Sequence, residues 1–436
     1  MSNELDKILI TYQQPDFKES MRVLRLAIMK AAIFESGDPR YTQIRDIIDG
    51  VKKRGDEAIA EFTDNYDGVK LEPKEFKISK EELEKAHNEI NPNLLASLRQ
   101  AIENVKKYQE EIFIGNKSAH PGIRYTPIKR VGICVPGASA PLLSTVIMAA
   151  VPAQVAGVEE IVVVSPPRYK GSIHPAILAV CYELAIDEVY RVSGAQAVAA
   201  MACGTKTIPK VDKIVGPGST WIQMAKREVF GIVDIDSAAA GPSEVLIIAN
   251  DSANPAWVAA DMLSQAEHAP GSAMMFTLSQ ELAEEVLFEL KTQIKQLKRS
   301  QETIDCLKKF GGIVVFENIN NLIEKANDFA VEHVQIQCGD ESKEIAGKIE
   351  NAGAIFIGDY SPVAVGDYWA GPSHTLPTGT TAKFFSGLTA NDFIKSTSII
   401  EYDKKKLAES AEDIIRLAEV EGLDAHAKSI KIRQQD

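Results

Sequence analysis

Apolar residues recur at helical spacing through the first 120 residues, as in Ile44, Ile47, Ile48 and Val51, then Ala58, Ile59 and Phe62. The spacing predicts helices over 17–36 and 41–66, parted by Gly37-Asp38-Pro39, and more over 81–90 and 94–112. Beyond residue 130 the pattern changes. Short β-branched runs end in Gly, Pro or Ser and alternate with amphipathic stretches. Ile161-Val162-Val163-Val164 stops at Ser165-Pro166-Pro167, the run 189–192 at Ser193-Gly194, and Ile214-Val215 at Gly216-Pro217-Gly218. Continuously apolar strands set between helices imply a parallel sheet covered on both faces. The rhythm restarts at 245–248 and continues through 274–276, 313–316 and 355–357. Two successive α/β units are therefore expected, with Gly241-Pro242-Ser243-Glu244 at their junction. A Gly/Pro/Thr-rich stretch from Gly366 and a last helix over 411–430 complete the chain.

Charge and composition narrow the function. The net charge is -13 with no basic run, which excludes a nucleic-acid partner. The opening residues carry acids and no apolar leader core. The longest apolar stretch, 145–158, is broken by Pro152 and Gly157, so no membrane span is expected. Cys134, Cys181, Cys203, Cys306 and Cys338 are widely spaced and form no CxxC, which fits reduced thiols in a cytoplasmic protein.

Four histidines stand in chemically suggestive company. His268 ends a helix that Asn254 caps and Pro255 opens, and Gln265 shares its face. Such a pair could bind a metal, although spacing alone fits a solvated helix end better, and Gln is a poor zinc ligand. Glu332-His333 sits at a helix-to-strand turn, where an acid beside an imidazole can serve as a general acid/base pair or be a surface dipeptide. Asp367 and His374 lie in the long Gly/Pro loop after the last strand, on the side where open α/β sheets bind ligands, or else cap turns there. Glu421 and His426 flank a Gly on the terminal helix and, taken alone, read as an exposed face. No GxGxxG follows a strand, but Gly137, Gly194 and Gly216-Pro217-Gly218 end strands and could admit a phosphate.

Together these segments resemble the histidinol dehydrogenase family, over roughly residue 17 to the C-terminus. The stretches that carry the resemblance are VGICVPGASAPLLSTVIMAAVPAQVAGV from Val131, GAQAVAA from Gly194, DKIVGPG from Asp212, AGPSEVLIIA from Ala240, AADMLSQAEH from Ala259, VEHVQI from Val331, VGDYWAGPSHTLPT from Val365 and EGLDAH from Glu421. The resemblance implies two successive oxidations in one site, alcohol to aldehyde to acid, with NAD as acceptor. It implies zinc on Gln265, His268, Asp367 and His426, which also meet the substrate. Ser243, His374 and Glu421 match further substrate contacts, Glu332 and His333 the catalytic acid/base pair, and Cys134, Gln196 and Ser219 the dinucleotide contacts. The implied fold is two Rossmann-like parallel-sheet units, one inserted in the other, with helical additions at both ends. The expected division is an arm over 1–24, a first domain of 25–130 with 241–388, an inserted domain over 131–240, and a helical tail over 389–436. That tail is expected to be exchanged within a homodimer, so that the active sites are shared.

The sequence departs from the family pattern at a few points. Cys134 stands where the family has Tyr, Ser219 where it has Asn, and Ser373 where GPNH is usual; PEH is VEH at Val331. The approach to GPSE from Asp236 is one residue longer. Three other readings are open: a related zinc dehydrogenase for another small amino alcohol or diol, an aldehyde dehydrogenase using a cysteine such as Cys134, and a metal-binding regulatory module.

Overall fold

A computed structural model describes residues 4–32, 37–116, 122–137, 140–237, 241–268 and 270–434. Contacts divide the chain into a large unit, Met1–Ile114 with Pro127–Phe393, and a small one, Gly115–Thr126 with Ile394–Asp436. Among the described residues the strands are, in chain order, β1 (Leu9–Thr11), β2 (Ile123–Pro127), β3 (Arg130–Cys134), β4 (Glu160–Val164), β5 (Glu188–Tyr190), β6 (Lys213–Val215) and β7 (Asp234–Ile235). They continue with β8 (Ser243–Ala249), β9 (Gly271–Thr277), β10 (Gly311–Val315), β11 (His333–Gln337), β12 (Ala354–Ile357) and β13 (Ile394–Ser398).

Two parallel sheets form the large unit, a six-stranded one in the order β1-β10-β9-β8-β11-β12 and a five-stranded one in the order β5-β4-β3-β6-β7. With β1 set aside, each sheet winds outward in both directions from its first strand. This doubly wound order leaves a crevice between β3 and β6 in one sheet and between β8 and β11 in the other. All strands of the five-stranded sheet come from the continuous stretch between β1 and β8.

Alternation along the strands builds the cores. Val245 and Ile247 of β8 enter the layer with helices Pro255–Ala266 and Gln280–Gln293. Leu246 and Ile248 face the opposite layer with Leu24, Ile28, Leu322 and Phe329. Helix Gly194–Cys203 is buried along Ala195 to Ala202, so it requires cover on its outer side too. Ile44, Ile47, Ile48 and Val51 of helix Arg40–Arg54 supply that cover.

This packing corrects the expected division of the chain. Helix Phe17–Ala32, which spans the start of 25–130, packs on the six-stranded sheet; helix Arg40–Arg54 packs in the core of the five-stranded one, and the helices over 80–112 pack on helices that follow β3 and β4. The expected N-terminal arm is likewise no separate piece, because its β1 pairs with β10. The helix expected over 41–66 is two, Arg40–Arg54 and Asp56–Asp67, parted at Gly55, whose φ of 58° favours glycine.

In the small unit β13 pairs with β2, and two helices follow, Lys404–Val420 and Asp424–Lys431. They replace the single helix expected over 411–430, the break falling at Gly422 with φ 71°. Asp403 caps the first of them by accepting the Lys406 N–H at 2.7 Å. Leu417 and Val420 are 67% and 83% exposed, which gives this unit an uncovered apolar face. Among the described residues no helix is long and apolar enough to cross a membrane.

Ile44→Ala is expected to lower unfolding stability by about 2–5 kcal/mol, because the side chain is fully buried. Phe288→Ala, at a highly exposed position, is expected to change it by less than about 0.5 kcal/mol. Urea denaturation of both variants measures the contrast. Equal losses would mean that the helix over 40–54 does not cover the five-stranded sheet.

Candidate active site

Ser243 begins β8 and His333 begins β11, two neighbouring strands in register at Val245 and His333. Backbone amides at a strand start lack ladder partners and are free to hold a carboxyl group. Glu332 Oε2 accepts the Ser243 hydroxyl at 2.6 Å and the Glu244 N–H at 2.9 Å. Glu244 replies across the strand pair: its Oε2 accepts the Glu332 N–H at 3.3 Å and its Oε1 the Gly379 N–H at 2.7 Å. Burial raises the pKa of Glu332 to about 7, against the pull of those hydrogen bonds. Burial raises Glu244 to about 8, and the neighbouring Glu332 charge adds to the shift.

His333 Nδ1 donates to the Glu244 carbonyl oxygen at 2.8 Å. A carbonyl only accepts, so this bond fixes the tautomer and leaves the lone pair on Nε2. Nε2 lies 4.0 Å from Asp367 Oδ1. Burial holds the His333 pKa below the usual imidazole value. The ring is thus a neutral base directed toward Asp367.

Ser243, Glu332 and His333 line a cavity of about 240 Å³ together with His268, Asp367 and His374. Its remaining walls include Thr145 and the Gly216-Pro217-Gly218 turn after β6. The site therefore lies between the amino ends of β8 and β11 and the carboxyl ends of β3 and β6. The sequence reading looked to strand carboxyl ends for Asp367 and His374, and placed Glu332-His333 at a helix-to-strand turn. The six-stranded sheet contributes its amino ends, where the Glu244 N–H and the Ser243 hydroxyl hold Glu332. Asp367 comes from the short helix Val363–Tyr368, and burial raises its pKa to about 6. Burial, with His333 beside it, lowers His374 to about 4. Its Nε2 lies 3.4 Å from Thr145 Oγ1.

Helix Pro255–Ala266 begins as the sequence indicated, with Asn254 Oδ1 accepting the Ala256 and Trp257 N–H groups. Its penultimate residue is buried Gln265, whose Nε2 has no hydrogen-bond partner. His268 follows and opens on the cavity, with its pKa lowered by desolvation. Among the described residues no three His, Cys, Asp or Glu side chains are gathered as a metal site. Glu421 and His426 belong to the small unit, where both are exposed.

A larger cavity, about 710 Å³, occupies the crevice at the carboxyl ends of β3 and β6. Cys134, Gln196 and Ser219, distant in sequence, all line it. Gln196 is 1% exposed and its Nε2 has no partner. The two cavities share Leu142, Gly218 and His268, so the crevice adjoins the smaller cavity. Burial raises the Cys134 thiol to about 12, which leaves it protonated and unsuited to nucleophilic attack. Ser373 is buried and donates to the Met148 carbonyl at 2.9 Å, fixing the His374 loop to helix Leu143–Val155. The longer approach to GPSE falls at 238–240, outside the described residues.

The sequence reading missed several groups. Glu244 lies inside the quoted AGPSE stretch, and Thr145 inside the stretch from Val131. Lys226 is a third: it is fully buried, ion-paired with Asp236, and donates to the Gly216 carbonyl at 3.2 Å. Asp236 Oδ2 accepts the Gly216 N–H at 2.6 Å, so the pair clamps the turn between the two cavities.

The sequence model of the family described as histidinol dehydrogenase matches residues 35–434. The histidinol dehydrogenase of Rhodopirellula baltica is 46% identical over 398 residues, covering 90% of this chain and 86% of that protein. That of Caldanaerobacter subterraneus subsp. tengcongensis is 46% identical over 400 residues, covering 90% and 92%. The crystal structure of histidinol dehydrogenase from Elizabethkingia anophelis superposes with a TM-score of 0.89 at 32% identity, covering 98% of both chains.

The cross-braced carboxyls carry a pH signature. Glu244 titrates near 8 when folded, against an ordinary 4.5. The folded protein therefore binds more protons than the unfolded chain across that window, and stability falls as pH rises through it. Glu244→Gln is expected to flatten the fall. Urea midpoints at about pH 6 and about pH 9 test this, and an unchanged slope would show that Glu244 is ionised in the folded state.

Proposed function

Because the chain belongs to the histidinol dehydrogenase family, and is an oxidoreductase that oxidises L-histidinol in histidine biosynthesis, we propose a two-step oxidation through histidinal to L-histidine, with NAD as acceptor and one zinc ion per subunit. The observation that carries this reading is the meeting of a small catalytic cavity, lined by Ser243, His268, Glu332, His333, Asp367 and His374, with a large crevice at a sheet switch point.

The residues present suit both groups. His268 is held neutral by desolvation, Asp367 shares its cavity, and buried Gln265, three residues before His268, has an amide oxygen that can serve as a ligand. These nitrogen and oxygen donors suit zinc, and His426 of the partner subunit would complete the set. Zinc, when bound, supplies a fixed positive anchor for the imidazole and amine nitrogens of the substrate. In the crevice, Gln196 offers its unpaired amide and Ser219 the start of helix Thr220–Val229, with Cys134 as apolar wall. NAD, when bound there, supplies the hydride acceptor.

The chain's own residues then move the protons. His333 Nε2 takes the hydroxyl proton of the alcohol, and again that of the hydrated aldehyde. Glu332, with a pKa near neutrality, serves as the base that activates the hydrating water. Ser243 keeps Glu332 oriented and contacts the substrate beside His374. Glu421 matches a further substrate contact. The uncovered apolar face of the small unit supports exchange of the tail over 389–436 within a homodimer. Five free cysteines, with Cys134, Cys181, Cys306 and Cys338 buried, support a cytoplasmic location.

NADH formation from histidinol, with the product identified, is the direct test. A chelator is expected to stop it and zinc to restore it; full turnover by metal-free protein would exclude the metal role. His333→Asn is expected to slow both oxidations and Glu332→Gln mainly the second. Equal losses on histidinol and histidinal in both variants would refute these roles.

The shared site has its own test. Glu332→Gln and His426→Ala proteins, each inactive in the oxidation of histidinal, are unfolded, mixed and refolded, and histidinal oxidation is measured. A tail acting across the dimer gives one intact site in each mixed dimer, and so about a quarter of normal activity. Mixed dimers that form and stay inactive would exclude the exchange.

A further inference from the structure

A charged cluster on the crevice wall takes no part in the chemistry above. Asp67, the last residue of helix Asp56–Asp67, lines the crevice with a side chain 1% exposed. Its Oδ1 accepts Arg168 Nε at 2.9 Å, and its two oxygens accept the Ser193 hydroxyl at 3.2 and 3.1 Å. Arg168 also donates from Nη2 to the Tyr66 carbonyl at 3.0 Å, so its guanidinium is committed to Asp67 and that carbonyl.

The strand order locates this cluster relative to the catalytic groups. The crevice meets the catalytic cavity at Gly218 and His268, on the β6 side. Arg168 follows β4 and Ser193 follows β5, on the opposite side of β3. Two to three strand spacings, about 10–14 Å, separate these flanks. A hydride acceptor must place its nicotinamide at the catalytic cavity. The other nucleoside of an extended dinucleotide then lies toward Asp67.

We propose that Asp67, held by Arg168 and Ser193, binds the ribose hydroxyls of the adenosine half of the cofactor and rejects a 2′-phosphate, which makes the protein selective for NAD over NADP. This rests on the reading of the crevice as the dinucleotide site. A carboxylate only accepts hydrogen bonds, which suits the two donors of a ribose diol. It repels a phosphate at the same position, and the nearby guanidinium is already neutralised.

Asp67→Asn keeps the shape and removes the charge. Quenching of Trp221, which lines the crevice, reports dissociation constants without turnover. NAD is expected to bind about tenfold more weakly, and the preference over NADP to fall by at least as much. Nicotinamide mononucleotide, which lacks the adenosine half, is expected to bind as it does to the unaltered protein. Arg168→Gln, at a half-exposed side chain, gives a second variant should Asp67→Asn misfold; it too is expected to weaken NAD and spare the mononucleotide. An unchanged NAD/NADP ratio, or equal weakening of NAD and the mononucleotide, overturns the inference and leaves the cofactor reading intact. Absence of any NAD binding by the unaltered protein overturns both.

Discussion

The carboxyl groups of Glu332 and Glu244 are buried where β11 and β8 begin, and each accepts the backbone N–H of the other's residue. Burial of an unpaired carboxylate is costly, and amides left unpaired in a dry interior are costly as well. Placing the two problems together solves both. The solution depends on register, because a slip of one residue would turn His333 to the other face of the sheet. It also sets the chemistry. The Glu244 carbonyl fixes the His333 tautomer, and the Glu244 carboxyl holds Gly379, downstream of His374. One strand pairing thus orients the His333 ring, holds the Glu332 carboxyl and anchors the loop that lines the cavity.

Local signals were legible in the sequence and non-local ones were not. Asn254-Pro255 marked a helix start because capping involves only adjacent residues. The runs before Ser165 and Gly216 marked strand ends for the same reason. Strand order has no local signature, so nothing in the chain announced that Cys134, Gln196 and Ser219 would line one crevice. Family resemblance joined them, and the doubly wound order gives the physical reason. The partner of the helix over 40–54 was hidden in the same way: its apolar stripe is plain, but the choice of sheet follows from the fully buried helix Gly194–Cys203.

The departures from the family pattern divide by what their side chains do. Ser373 keeps a structural hydrogen bond through its hydroxyl, so a shorter residue suffices there. Cys134 contributes apolar wall, a role that needs no phenol. Ser219 precedes helix Thr220–Val229 without a side-chain cap, so its hydroxyl is not committed to the helix. Lys226 and Asp236 hold the adjacent turn from beneath by way of Gly216. The wall between the two cavities thus draws its rigidity from an interior ion pair and not from the residues at its surface.

β1 occupies one border of the six-stranded sheet, with Leu9 opposite Ile313. The chain that pairs with the first described strand is therefore made about 300 residues later. At ribosomal rates of about 5–20 residues per second, roughly 15–60 s pass before residues 9–11 meet their neighbour. During that time Leu5 and Ile8, which end fully buried, remain without their core. When β10 emerges, its outer edge is an unpaired row of backbone groups until the oldest part of the chain returns to cover it. Assembly of this sheet is thus closed by its earliest strand.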